Sequence, residues 1–228
     1  MEIRAHPITV LLCVMLLSFS LCAAGRPGMV RGTVVDESGT PVVAAQVSVD
    51  EMNGLPKAAP VLMSETDKNG HFSIGNLEFG NYKVFAMKES AGYPNTGFAF
   101  YSDNVFPTVE LTTAVPTADI TLKVGPPAGV MLGSVTNAVT GTPVLASFLL
   151  RRVPEPDNWI SMSQKADYRV LVPPSVEVSI EVSAPGYKTW YYGGPSDAFK
   201  RPPIRLESGK EMKLDIQLEP EDKPEKQQ

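Results

Sequence analysis

Gly32-Thr33-Val34-Val35-Asp36 followed by Gly39-Thr40-Pro41-Val42 occurs a second time, in the same order, as Gly133-Ser134-Val135-Thr136-Asn137 and Gly141-Thr142-Pro143-Val144. The correspondence continues downstream. Ala91-Gly92-Tyr93 is answered by Ala184-Pro185-Gly186-Tyr187, and Asp119-Ile120-Thr121-Leu122 by Asp215-Ile216-Gln217-Leu218. A period of about a hundred residues is domain-sized, which points to two small domains of one type and not to a solenoid of short repeats. The expected boundaries are 28–124 and 128–219. Gly125-Pro126-Pro127-Ala128-Gly129 forms a short, stiff connection between them.

Between the repeated markers the pattern is alternation, not helical periodicity. Val176-Glu177-Val178-Ser179-Ile180-Glu181-Val182-Ser183 and Met212-Lys213-Leu214-Asp215-Ile216-Gln217-Leu218-Glu219 place apolar and polar residues on opposite faces. Ala45-Gln46-Val47-Ser48-Val49-Asp50 and Ile120-Thr121-Leu122-Lys123-Val124 do the same in the first copy. Successive strand side chains point to opposite faces, so each segment predicts a strand with one wet and one buried side. The turns agree. Asp36-Glu37-Ser38-Gly39, Asp67-Lys68-Asn69-Gly70 and Thr140-Gly141-Thr142-Pro143 place glycine where a tight connection needs positive φ. The 21 prolines suit short strands and turns better than helices. The predicted fold class is all-β: two tandem antiparallel β-sandwiches after a leader.

The leader is residues 1–24. A short polar start with Arg4 precedes the apolar run Ile8–Cys22, and Cys22-Ala23-Ala24 offers small residues for cleavage. This reads as a secretory signal peptide, the run being shorter than the roughly 20 residues a membrane span needs. No later stretch is as apolar, so no membrane span is expected after its removal, and the protein is expected to be secreted or periplasmic. Both cysteines of the chain, Cys13 and Cys22, fall in the leader, so the domains are expected to fold without disulfides. Lipidation of Cys22 is the alternative, although Leu21 stands where lipoprotein signals favour a small residue. The charged segment 220–228 is expected to be a disordered tail.

These residues resemble a known family. Gly-x-Val before a turn, Gly-x-Pro-Val, then Thr66-Asp67-Lys68-Asn69-Gly70-His71-Phe72 and Gly80-Asn81-Tyr82-Lys83-Val84 are similar to the carboxypeptidase regulatory-like domain. The resemblance implies a transthyretin-like (prealbumin-like), Greek-key sandwich of seven strands in each copy. It also implies a non-catalytic extension of secreted or cell-envelope proteins. The second copy departs from the pattern, with Lys165-Ala166-Asp167-Tyr168 in place of the Asp-x-x-Gly-x-Phe turn. A different turn is expected there.

Catalytic inventory is sparse. Net charge is −5, without a basic stripe, which argues against nucleic acid. Beyond the leader His71 is the one histidine, so His/Cys zinc sites and a Ser–His–Asp arrangement have little to draw on. The enzymatic relatives of the fold need several histidines, or paired histidines and tyrosines. Self-crosslinking sandwiches need a first-strand lysine, and here Arg31 and Leu132 stand in those strands. Glu65, Asp67 and Asn69 offer oxygens near one turn, but too few for calcium. They are read as hairpin residues. No catalytic residue, metal or cofactor is expected.

The residues that could bind a ligand are aromatic: Trp159 and the run Trp190-Tyr191-Tyr192 before Gly193-Gly194. Flat rings with a polar edge suit stacking on sugars, although alternation lets at most two of the run share a side. The functional expectation is a non-enzymatic, exported binding or spacer module whose partner is an envelope protein or a glycan. Two alternatives stand beside it: carbohydrate binding through these aromatics of the second copy, and a carboxylate-dependent hydrolase.

Overall fold

A computed structural model describes residues 28–52, 62–100, 107–153, 159–174, 176–194 and 201–221. The leader with its two cysteines, and residues 222–228, lie outside them.

The first copy supplies β1 (Gly28–Val35), β2 (Gln46–Glu51), β3 (Leu62–Glu65), β4 (His71–Leu77), β5 (Gly80–Met87), β6 (Thr108–Leu111) and β7 (Thr117–Lys123). They form two sheets, ordered β4-β1-β7 and β3-β2-β5-β6. Inward residues of both sheets meet in one core, with Val30, Val34, Phe72, Ile74 and Leu122 from one side and Val47, Val49, Val84, Ala86 and Leu111 from the other. This is a sandwich, and alternation builds it: the strand β2 reads Val47 and Val49 in, Gln46 and Asp50 out.

The second copy repeats the plan with β8 (Gly129–Asn137), β9 (Ala146–Arg152), β10 (Trp159–Gln164), β11 (Asp167–Val172), β12 (Val178–Ser183), β13 (Trp190–Tyr191), β14 (Glu211–Lys213) and β15 (Ile216–Leu218). Its sheets run β10-β9-β12-β13 and β11-β8-β14, with β15 also paired to β8. Strand for strand this is the order of the first copy. The predicted strand 212–219 is interrupted at Leu214-Asp215, where Asp215 Oδ1 accepts the Ser134 N–H (2.9 Å) and hydroxyl (3.0 Å).

The closing segment of each sandwich differs from the antiparallel expectation. β7 runs parallel to β1, and β14 and β15 run parallel to β8. A first strand flanked by the last one needs a connection that crosses between sheets, and the intervening strands provide it. The expected change of turn is also present. In the first copy Asp67 Oδ1 accepts the N–H groups of Asn69 and His71 (2.8 and 2.9 Å), Gly70 takes φ 75°, and its carbonyl accepts the Val34 N–H. In the second, Ala166 alone makes the equivalent bond to Val135 N–H (2.7 Å).

A short helix, α1 (Thr96–Phe100), was not expected from periodicity. Asn95 Oδ1 accepts the Gly97 N–H (2.8 Å), an N-terminal cap that makes one turn viable. The buried Thr96 accepts the Ala86 N–H with its hydroxyl oxygen (3.0 Å), tying the turn to β5. Phe98, on this turn of the first copy, is 3% exposed and belongs to the apolar cluster of the second copy, with Met131, Phe148 and Val172. The linker is tied back as well, through Ala128 N–H to the Gly92 carbonyl (2.8 Å). At the other end, the Glu221 N–H still reaches the Gly186 carbonyl (3.0 Å), so backbone pairing extends past Pro220.

Candidate functional site

The four aromatic residues lie on the sheet β10-β9-β12-β13, and register decides which way each one faces. Directly opposed residues on neighbouring strands share a face. Trp190 pairs with Val182, and Tyr191 with Glu181. Val182 is fully buried, so Trp190 turns towards the core and Tyr191 outwards. Tyr192 turns in again. Its ring lies edge to face with Trp190, centroids 6.5 Å apart, and both pack against the second core. Gly193 (φ 79°) and Gly194 (φ 94°) then reverse the chain; a side chain on Gly193 would strike Pro202.

Trp159 sits on the far edge strand, opposite Arg151, and is 53% exposed. It shares the outer face with Tyr191, but the two stand on strands three spacings apart, roughly 14 Å. Between them Arg151 Nε lies 3.6 Å from Glu181 Oε1. The guanidinium carbon of Arg201 lies 3.7 Å above the Tyr191 ring, a cation–π contact. The aromatic set is therefore divided: two rings inward, two outward and separated.

A groove of about 500 Å³ opens beside β13. Trp190, Tyr191, Gly193 and Gly194 form one wall, and Lys188, Gln217 and Glu219 the polar side. It lies where the edges of the two sheets approach, β13 on one and β15 on the other. Lys188 donates its backbone N–H to the Glu219 carbonyl (2.8 Å), and its Nζ is 3.5 Å from Glu219 Oε2. The volume is within the range of small-ligand sites, and an aromatic wall with a few polar groups is their usual lining. Lys188, Gln217 and Glu219 were not among the residues expected from sequence. Gln217 was visible only as a polar position on a strand, and nothing local tells which neighbouring loop it faces.

Four aspartates are tied into turns and strand contacts. Asp36 is held below the usual carboxylate range by the Ser38 hydroxyl and the Thr40 N–H, and Asp67 by the N–H groups of His71 and Asn69. Asp119 is lowered by its paired hydrogen bonds from Arg31 (2.7 and 3.1 Å), Asp215 by the backbone and hydroxyl of Ser134. Asp50 is raised by partial burial, opposed by Lys83 across the ladder. His71 is exposed, with Nδ1 3.8 Å from Asp67 Oδ2. No group of three or more His, Cys, Asp or Glu that could hold a metal occurs among the described residues. Nor does any helix among them have the length and apolarity to cross a membrane.

Residues 29–125 match the family model of the carboxypeptidase regulatory-like domain. The match covers β1 to β7, the sandwich that keeps the Asp67-x-x-Gly70-x-Phe72 turn. Comparison with curated proteins gave no match. Solved structures similar to the chain include the Bacillus anthracis TIE protein, at 18% identity and a TM-score of 0.34, over 85% of this chain and 34% of that one. A streptococcal ancillary pilin is 15% identical (TM-score 0.32), over 86% of this chain and 63% of that chain. The shaft pilin spaA from Lactobacillus rhamnosus GG is 10% identical (TM-score 0.31), over 86% of this chain and 98% of that chain. The chain thus spans about a third of the first of these and under two thirds of the second.

Proposed function

We propose that this chain is an exported, non-catalytic protein of two β-sandwich domains, 28–124 and 128–219, acting as a spacer and binding module of the cell envelope or extracellular space. The observation that carries this reading is Phe98: a residue of the carboxypeptidase regulatory-like stretch contributes to the core of the second sandwich. Together with the Gly125-Pro126-Pro127 linker it makes the pair one stiff unit, the property a spacer needs. The domain match supports the same reading, because it describes a regulatory-like module and no catalytic one. Fractionation of producing cells tests it. A chain beginning at Gly25 in the periplasm or medium is expected; a cytoplasmic chain with its leader intact refutes it. A hydrolytic activity lost on neutralising Glu219 or Glu181 would overturn the non-catalytic part.

A second reading is favoured by the groove beside β13: a glycan held between the Trp190–Tyr191 wall and Lys188, Gln217 and Glu219. Sugar rings present both apolar faces and hydroxyls, which this lining matches. A glycan array probed with the protein and with Gln217→Ala tests it. Binding that the substitution weakens at least tenfold supports the groove; unaltered binding, or none, removes it.

A further inference from the structure

Sheet edges leave rows of unpaired N–H and C=O groups that accept a further strand, and natural proteins block them with charge, proline, bulges or brevity. The edges here are β4 and β7, β3 and β6, β11 and β14 with the three-residue β15, β10 and β13. β7 carries Asp119 and Lys123, β11 Asp167 and Arg169, β14 Glu211 and Lys213, and β6 Glu110. β3 has four residues ending in Glu65, and β13 has two. β4 is bent by a register shift and by Asn76 in the left-handed region (φ 60°).

β10 has none of these protections. Trp159-Ile160-Ser161-Met162-Ser163-Gln164 contains no charge and no proline, and pairs with β9 without a shift along its length. The direction of its open groups follows from the neighbouring ladder. Val153 donates its N–H to the Glu177 carbonyl (2.9 Å), so alternation points the N–H and C=O of Arg151, Leu149 and Ser147 at β12 and those of Leu150, Phe148 and Ala146 at β10. Opposite them, Ile160, Met162 and Gln164 bond to β9. Trp159, Ser161 and Ser163 then aim their backbone N–H and C=O away from the sheet.

We propose that β10 is a self-association edge: a second copy of this chain pairs its own β10 antiparallel to it about a twofold axis through Ser161. In that register Ser161 faces Ser161 of the other copy and Trp159 faces Ser163. Every outward N–H and C=O of these three residues finds a partner. Ile160 faces Met162, extending the inner apolar row, where both already pack against the core. A twofold contact in this register sets position 161 against itself, so a charge there would meet the same charge; serine avoids this, and neither of the other facing pairs sets like charges together. Two four-stranded sheets would merge into one continuous sheet. The proposal does not depend on the glycan reading.

Sedimentation of the purified mature protein at roughly 50 μM tests it, with a dimer expected. Ser161→Pro removes only an outward N–H, a position where an edge strand tolerates proline, and is expected to give a monomer with unchanged circular dichroism. Ser161→Lys, which places two like charges at the axis, should do the same if the proline variant folds poorly. Under mild oxidation Ser161→Cys is expected to form a disulfide-linked dimer, its Cα separation of about 5.5 Å lying within disulfide range, whereas Ser163→Cys, facing Trp159, is not. A monomeric parent protein, a dimer that survives Ser161→Lys, or equal crosslinking of the two cysteine variants overturns the proposal.

Discussion

Tyr168 holds in the second sandwich the place that Phe72 holds in the first: each lies opposite the first-strand glycine, Gly133 and Gly32 respectively. Both aromatic rings are buried. Tyr168 differs in its hydroxyl, which donates to the Leu214 carbonyl beside the interruption between β14 and β15. Burial, reinforced by the nearby Asp215 carboxylate, raises its pKa and keeps it a donor at neutral pH.

Tyr168→Phe should therefore fold into the same sandwich and lose about 1 kcal/mol, the net value of one such hydrogen bond. Tyr168→Ala, which also empties the ring's space against Phe148 (centroids 4.6 Å apart), should cost about 3–5 kcal/mol. Urea unfolding of both variants measures the difference.

The glycines facing these rings are required by the parallel last strand. A Cβ on Gly32 would lie 1.8 Å from the Ile120 carbonyl oxygen, and one on Gly133 would lie 2.1 Å from that of Leu214. Those neighbours are backbone and cannot step aside. Gly32→Ala and Gly133→Ala should each destabilise by about 3 kcal/mol or more, read as a lowered melting temperature.

Phe98→Ala removes a buried ring that links the two sandwiches. A loss of about 3–5 kcal/mol is expected, and calorimetry should resolve two transitions where the parent protein shows one. A single transition of unchanged shape would mean that Phe98 does not couple them.

The two tryptophans should separate by solvent access. Trp159 is expected to be quenched strongly by iodide, and Trp190, half-buried against Tyr192 and bordering the groove, more weakly. Trp159→Ala should change stability by no more than about 0.5 kcal/mol, and Trp190→Ala by several times that.

Acid should destabilise the fold. Asp36, Asp67, Asp119 and Asp215 have folded-state pKa values below their unfolded values, so the stability they contribute is present above the unfolded value of about 4 and is lost as pH falls through the folded ones. Asp50, raised by burial, acts in the opposite sense: its cost is present when it is ionised and vanishes on protonation. Melting temperature should be flat near neutrality and fall below about pH 4, and Asp119→Asn should flatten that fall.

Much of the fold was legible in the residues. The repeat of Gly-x-Val and Gly-x-Pro-Val marked two units, and alternation in Val178–Ser183 marked the inward face without ambiguity. The altered Lys165-Ala166-Asp167-Tyr168 turn was visible too. The helical turn at Thr96 was not, since five residues hold no periodicity and the cap on Asn95 matters only once Ala86 lies beneath Thr96. The candidate site was legible in part. Its aromatics were named, but Lys188, Gln217 and Glu219 join Trp190 only because the Lys188 N–H bonds to the distant Glu219 carbonyl.

The strands with clean alternation, such as β2 and β12, their inward faces and the turn glycines follow from the sequence by itself, because a two-residue period and a positive φ are local properties of the chain. The parallel closure of β7 and β15 on the first strands, the entry of Phe98 into the second core, the opposite facing of Tyr191 and Trp190, and the open edge of β10 were decided by tertiary structure. Each depends on which distant strand lies alongside, and that is set by the packing of two whole sheets, which no short segment encodes.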